Sequence, residues 1–345
     1  MKKLFIIAAA ACVTLASCVK NEPVATPDLG ELITFEAPIV APATKADAAV
    51  GTVLYPETGK FYLYGWYHAA VDGDFANKYI PGAEIAKVAG QNYFAPSTSY
   101  YWPKSGYLSF FAYSPSALPE GGDGSLSAST MTLDKSMTLT YIVPSAQAKQ
   151  VDLLYSDWAM NKTVANETTT TEGSYNGVEI VFNHALSAVT FSFSGVANMY
   201  KINSVTLSGV KKTAVLTSAP NSTSWADPSG DAVSYAILGE HEVSGTAEVS
   251  DMLMLIPQNL AAAKLTINYS LKNPSAAEWI EQEAKVINLN TATTTVDEET
   301  VAIAKWDMGT KYTYNVTFGA ASVIKFAPSI KTEWTGVTGT IPEIN

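Results

Sequence analysis

The sequence has 345 residues and no arginine, and this absence narrows the range of ligands. Its 21 basic residues are all lysine and stand against 32 Asp and Glu, which gives a formal net charge of −11. Without guanidinium groups, the chain cannot make bidentate contacts to phosphate or guanine. Its acidic field also repels a polyanion. We therefore exclude nucleic acid as a partner.

Cysteine is nearly as scarce, since Cys12 and Cys18 are the two in the chain. Cys12 lies inside an apolar leader that is predicted to be removed, so the exported chain keeps Cys18 alone. A single cysteine cannot form a disulfide framework or a thiolate metal site. We therefore expect the folded part to be stabilised by its hydrophobic core, and its length favours two domains.

Groups that carry chemistry are also few. The three histidines, His68, His184 and His241, share no metal-ligand spacing, so we expect hydrogen-bonded structural roles. The sequence lacks a Gly-x-Ser-x-Gly elbow, a phosphate-binding loop and a dinucleotide fingerprint. A pair of glycosidase carboxylates, about 5–9 Å apart, needs no sequence motif and stays open as an alternative. We predict no cofactor and no metal, and an enzyme is the least favoured interpretation.

Residues 1–17 have the organisation of a secretory leader. Positive charge at the N-terminus precedes an apolar run from Leu4 to Leu15, which is shorter than the ~20 residues of a membrane-spanning helix. The run ends in the lipobox Leu15-Ala-Ser-Cys18. We predict cleavage between Ser17 and Cys18, and lipidation of Cys18 that anchors the chain in a membrane. The alternative is an ordinary signal peptide followed by a chance cysteine.

The rest of the chain is rich in strand-forming residues. Charged residues make up only 15%, while β-branched and aromatic residues recur between turn signals, which is typical of β-sandwiches. Sustained helical periodicity is nearly absent. Residues 275–287 could form a helix with a serine cap, but a turn followed by a strand is the favoured interpretation. The sequence therefore predicts an all-β protein, organised as two sandwiches.

The domain boundary is predicted in the polar, threonine-rich segment 161–176. Residues 18–30 contain two prolines and a glycine and are predicted to form a tether between lipid and folded chain. We predict an N-terminal domain at 31–176 and a C-terminal domain at 177–345. Within the first, Leu32 to Val40 is the first strand candidate, and its proline indicates an edge or bulged strand.

Two aromatic clusters stand out at residues 61–67 and 100–113. Aromatic residues that alternate along strands are more often part of a core than of a ligand platform. The alternative, a platform for carbohydrate, leads to a rival hypothesis in which the chain is a surface glycan-binding lipoprotein.

The assembled features resemble the fimbrillin family, whose members are pilins and accessory subunits of type V pili. The resemblance runs almost from end to end and depends on the order and spacing of several short motifs. These are the lipobox at Cys18, Ile33-Thr-Phe35 with Thr44-Lys-Ala46, Tyr101-Trp-Pro103 with Leu108 to Pro115, Asp152 to Ser156, Val181 to Ser187, Leu255 to Gln258, Trp306, Gly309, Tyr312, Tyr314-Asn315, Ile324 to Phe326 and Trp334.

The resemblance implies two tandem transthyretin-like β-sandwich domains, no enzymatic activity, and delivery to the outer membrane as a lipoprotein. It also implies a mechanism in which a trypsin-like protease removes the first strand, here within residues 31–45, and a C-terminal strand of another pilus subunit replaces it. Lys45-Ala46 is then the candidate cleavage site, because Lys45 is the only basic residue between Lys20 and Lys60. The alternative is that Lys45 is a solvated loop lysine.

The resemblance further implies cell adhesion or biofilm formation through a surface receptor that the sequence does not identify. Residues 335–345 form a short, weakly alternating tail with two glycines and a proline, which is a poor pattern for a donor strand. The sequence therefore favours a tip or accessory subunit of the pilus over a major stalk subunit.

Overall fold

The computed structural model describes residues 31–40, 53–56, 58–131, 135–167, 177–272, 278–296, 299–319 and 324–331. The predicted lipidation and cleavage sites at Ser17, Cys18, Lys45 and Ala46 lie outside these residues. The predicted tether and tail also lie outside them.

The described chain consists almost entirely of β-strands. The strands of its first half are β1 (Ile39–Val40), β2 (Val53–Leu54), β3 (Lys60–His68), β4 (Asn77–Lys87), β5 (Phe94–Pro96), β6 (Tyr107–Ser114), β7 (Ser125–Met131), β8 (Ser136–Ile142), β9 (Leu154–Ser156) and β10 (Ala159–Lys162). Those of its second half are β11 (Val181–His184), β12 (Ser187–Gly195), β13 (Tyr200–Ala219), β14 (Ser222–Trp225), β15 (Ser229–Leu238), β16 (His241–Glu242), β17 (Glu248–Val249), β18 (Leu253–Leu255), β19 (Lys264–Leu271), β20 (Ile280–Glu281), β21 (Lys285–Asn288), β22 (Thr293–Val296), β23 (Glu299–Ala302), β24 (Lys311–Phe318) and β25 (Ile324–Lys331).

Helical structure within the described residues is confined to α1 (Val164–Glu167) and the 3₁₀ turns Gln147–Lys149 and Leu289–Thr291. The all-β prediction is therefore confirmed, and so is the strand interpretation of the end of segment 275–287, where β20 and β21 lie. The transthyretin-like character of two tandem domains stays a prediction.

The first sheet has the order β2-β1-β11-β9-β6-β3-β4-β5, with β10 also paired to β6. Its inner face encloses a small core of mainly aromatic and branched side chains. Side chains alternate along each strand, so the two faces of β6 enter different cores. Leu108, Phe110 and Ala112 point into this small core, whereas Phe111 and Tyr113 belong to a larger one.

The larger core lies between the other two large sheets. One has the order β17-β12-β24-β25, with β18 on β12. The other has the order β20-β19-β13-β8-β7, with β14, β15 and β16 also on β13 and β21 on β19. The hairpin β22–β23 forms a fourth, two-stranded sheet.

Strand pairing crosses the position of the predicted domain boundary. The hairpin β7–β8 comes from the first half of the chain but pairs with β13 in the third sheet. In the opposite direction, β11 follows residue 176 but pairs with β9 and β1 in the first sheet. The division at residue 176 stays a prediction, and the halves on either side of it exchange strands.

Candidate functional site

Residues 31–40, here called the closing segment, lie between two separate parts of the first sheet. On one side the segment runs antiparallel to β5 and to the residues that follow it. Ile33 donates its N–H to the carbonyl of Tyr100 at 2.8 Å. Phe35 and Phe94 exchange a pair of N–H···O bonds of 2.9 Å. This side of the segment is therefore bonded through two separate antiparallel bridges, Leu32–Tyr101 and Phe35–Phe94.

On its other side the closing segment pairs in parallel with the chain that leads into β11. Val178 donates its N–H to the carbonyl of Thr34 at 2.9 Å, and Glu36 donates back to Val178 at 3.1 Å. Ile39 donates to the carbonyl of Ile180 at 3.2 Å. Since both edges of the segment are bonded, it joins the two ends of the first sheet and closes the sheet into a ring.

Gly177 allows the backbone of the closing segment to approach this closely. A Cβ atom at position 177 would lie 2.6 Å from the carbonyl oxygen of Thr34 and 2.8 Å from the carbonyl carbon of Phe35. Both neighbours are backbone atoms, so a side chain here would push the segment away from its partner.

The side chains of the closing segment fill the small core from its open side. Phe35 is fully buried and makes edge-to-face contacts with Phe110 and Phe61, with ring centroids 5.6 and 6.4 Å apart. Ile33 and Val40 are buried in the same cluster. Burial of each such side chain contributes roughly 1.5–3 kcal/mol, so hydrophobic contact supplies much of the affinity of the segment for its groove.

The pairing of the segment is interrupted at Pro38, which has no N–H to donate. Pro38 is buried, and its carbonyl accepts the N–H of Tyr55 at 2.9 Å. The Tyr55 hydroxyl is hydrogen-bonded to Ser114 Oγ at 2.7 Å. Burial raises the pKa of Tyr55 above its ordinary value, although the bond to Ser114 opposes the rise. This phenol is therefore neutral at physiological pH.

Loss of the closing segment would leave two unpaired strand edges on either side of an apolar cavity. Such a groove can regain both its ladder hydrogen bonds and its buried surface by accepting another extended chain. Binding of such a chain would require no catalytic group.

Two of the three histidines, His68 and His184, are hydrogen-bonded within the protein. His68 is buried, with Nδ1 2.7 Å from the carbonyl of Ala70 and Nε2 2.9 Å from Ser109 Oγ. His184 pairs with Asp152 through a contact of 2.7 Å. Across the described residues, no three His, Cys, Asp or Glu side chains are grouped so that they could hold a metal ion. Over the same residues, no helix has the length and apolar character needed to span a membrane.

The aromatic clusters belong largely to the two cores. Phe61 and Phe110 line the groove, and Trp66 and Phe111 lie in the larger core. The core interpretation is therefore confirmed for these residues. Sequence reasoning did not single out Phe94, whose backbone pairs with the closing segment. Its only signal was the short Phe-Ala-Pro run, which has no alternation to indicate a strand.

Comparison with known proteins gives one family and several related folds. The model of a family described as fimbrillin-like matches residues 60–334. No curated protein matches the sequence.

Among solved structures, a candidate cell adhesion protein from Bacteroides uniformis has a TM-score of 0.51 and 15% identity, over 88% of this chain and 99% of its own. A candidate cell adhesion protein from Bacteroides ovatus has a TM-score of 0.47 and 15% identity, over 91% and 99%. A third, from Parabacteroides distasonis, has a TM-score of 0.45 and 10% identity, over 87% and 99%. At 15% identity, the similarity to the Bacteroides uniformis protein shows a shared fold alone.

Proposed function

Since the chain belongs to the fimbrillin-like family, we propose that it is a structural subunit of a type V pilus that assembles by β-strand exchange. The observation that carries this proposal is the closing segment, which is bonded along both edges and fills an apolar core. A segment placed in this way can be replaced by a strand of another subunit, and the replacement restores the same contacts.

The route to the assembled pilus follows from the sequence motifs. The subunit is exported with residues 1–17 as leader, is lipidated at Cys18 and is held at the outer membrane. A trypsin-like protease then cuts between Lys45 and Ala46, which separates the closing segment and the lipid from the rest of the chain. A cut in this position is supported by the composition around it, since small and polar residues are typical of segments that proteases cut.

The donor strand is proposed to come from a different subunit. Residues 337–344 can be aligned with residues 33–40 by superposing their prolines. Four buried positions then receive residues of the same kind, namely Val337 for Ile33, Thr338 for Thr34, Pro342 for Pro38 and Ile344 for Val40. Gly339 falls at the position of Phe35, however, and would leave the largest part of the cavity empty.

A second copy of this chain would therefore be a poor donor for this groove. This supports a tip or accessory position in a pilus of unlike subunits, with adhesion or biofilm formation as the role of the assembly. The proposal requires no enzymatic activity, because all of its energy comes from strand pairing and hydrophobic burial.

Uptake of a labelled peptide tests the accepting groove. The purified full chain is treated with trypsin and mixed with a fluorescent peptide of the sequence of residues 31–40. We expect the trimmed protein to retain the peptide on a sizing column, and the untreated protein to exclude it. A Lys45→Ala variant, treated in the same way, is expected to exclude the peptide as well. Equal uptake by all three samples, or uptake by none, would contradict strand exchange.

The same assay tests the identity of the donor. A peptide of residues 335–345 is expected to bind the trimmed protein more weakly than the peptide of residues 31–40. Its Gly339→Phe version is expected to bind more strongly than the natural sequence, because the phenyl ring fills the cavity of Phe35. If the natural tail peptide binds as well as residues 31–40, self-donation and a stalk position are favoured instead.

A further inference from the structure

Three segments of the second half of the chain line a pocket of about 530 Å³, here called the tryptophan pocket. The segments are residues 223–228, which begin in β14, and residues 257–259 and 305–308. None of them belongs to the closing segment or to the strands that hold it. Strand exchange as proposed above would therefore leave this pocket unused.

The backbone of the pocket is held firmly. Trp306 donates its N–H to the carbonyl of Gln258 at 2.9 Å, and Asn259 forms an antiparallel bridge with Lys305. The side chain of Gln258 accepts the N–H of Lys211 at 2.8 Å and donates to its carbonyl at 3.0 Å. The segments 257–259 and 305–308 are thus bonded to each other and to β13, so the pocket is preorganised for a ligand.

The apolar part of the pocket is formed by Trp225 and Met308, both half-buried. Trp225 donates its Nε1–H to the carbonyl of Ala185 at 2.6 Å. The polar edge of the indole is therefore already used inside the protein. What Trp225 can offer a ligand is the carbon surface of its ring, which suits a flat, weakly polar C–H face.

The rim of the pocket is polar and carries acceptors and donors. Lys305 and Asp307 form an ion pair of 2.7 Å. The Oδ1 of Asn259 accepts the N–H of Ala261 at 2.8 Å. The side-chain N–H groups of Asn259 take no part in that bond. Asp227 is exposed and adds a second carboxylate. The rim can therefore both donate hydrogen bonds to a hydroxyl-rich ligand and accept hydrogen bonds from it.

We propose that the tryptophan pocket binds a neutral carbohydrate, with one sugar ring stacked on Trp225 and its hydroxyls bonded to Asp227 and Asn259. A pyranose combines an apolar face with a periphery of hydroxyls, which matches an indole surface surrounded by carboxylate and amide groups. The volume is within the range of small-molecule sites and accommodates one or two sugar units.

Other classes of ligand fit this pocket less well. Its lining carries two carboxylates and one ammonium group, so an anionic sugar or a phosphate would be repelled. Its carboxylates do not form a metal-binding group with a third ligand among the described residues.

Affinity electrophoresis tests this assignment with the purified full chain. The protein is run in native gels that contain mannan, dextran or xyloglucan, and in a gel that contains anionic polygalacturonate. We expect retardation by at least one neutral polysaccharide and none by polygalacturonate. Trp225→Ala should weaken retention about tenfold or more, because stacking on the ring supplies the apolar contact.

Two further variants separate binding from folding. Asp227→Ala removes an exposed carboxylate and leaves the hydrogen bond of Trp225 intact, so loss of retention in this variant cannot be ascribed to unfolding. Trp279→Ala is the matched control, because Trp279 is also half-buried but lies against Lys272, outside the pocket. Retention in the neutral gels should be unchanged in this control.

The proposal is overturned if no neutral polysaccharide retards the protein, or if Trp225→Ala and Asp227→Ala migrate like the unaltered chain. Such a result would leave strand exchange untouched, since peptide uptake measures it at a different groove.

Discussion

Phe35 is the residue on which attachment of the closing segment depends most. It is fully buried between Phe61 and Phe110. Its N–H and carbonyl both bond to Phe94, and its neighbours Thr34 and Glu36 bond to Val178 on the other side. We predict that Phe35→Ala lowers the free energy of unfolding by about 3–5 kcal/mol, because the ring leaves a cavity that the surrounding strands cannot fill. Denaturant titration of the variant, followed by circular dichroism, measures this loss.

Leu32 provides the control within the same segment. It lies three residues away but is 38% exposed, so Leu32→Ala should change the stability by no more than about 0.5–1 kcal/mol. Equal effects of the two substitutions would mean that the segment is held by its backbone hydrogen bonds and not by the groove around Phe35.

At the scale of elements, β8 is the clearest case of a strand that serves the other half of the chain. Its residues Met137, Leu139 and Tyr141 are buried in the larger core. Leu139 lies opposite Leu216 of β13. We predict that Leu139→Ala costs about 2–5 kcal/mol and that the loss appears in β13 and β19. Amide hydrogen exchange of these two strands, compared between variant and unaltered chain, is the measurement.

A substitution on the neighbouring strand makes the comparison specific. Ser127 of β7 is exposed and lies opposite Thr140 of β8, so Ser127→Ala should leave exchange in β13 almost unchanged. If Leu139→Ala instead speeds exchange only in the first sheet, the assignment of the hairpin to the larger core is wrong.

The strands themselves were largely predictable from the sequence, whereas their partners were not. Alternation in Met137 to Pro144 indicates a strand with one buried face, but it does not say against which sheet that face packs. Leu32 to Val40 was predicted as one strand, but only Ile39–Val40 form a strand, and Leu32 and Phe35 make isolated bridges. The pairing of this segment on both sides is seen only in the fold. The tryptophan pocket was not predicted, because Trp225 and Asp307 are far apart in the sequence and share no motif.

The whole molecule is organised around a core that both halves share. Trp66 and Phe111, on the outer face of the first sheet, belong to the same cluster as Phe191 and Tyr314 of the second sheet. The hairpin β7–β8 extends the third sheet from the first half of the chain. Separation of the halves at residue 176 would therefore expose a large apolar surface on each.

We predict that a fragment of residues 177–345 does not fold alone, because it lacks β8 and the side chains that cover the larger core from the first sheet. Its ¹H–¹⁵N spectrum should be poorly dispersed under conditions in which the full chain gives a dispersed spectrum. Addition of a fragment of residues 31–176 should restore dispersion as the two halves exchange strands again. A well-dispersed spectrum of residues 177–345 alone would support two independent domains instead.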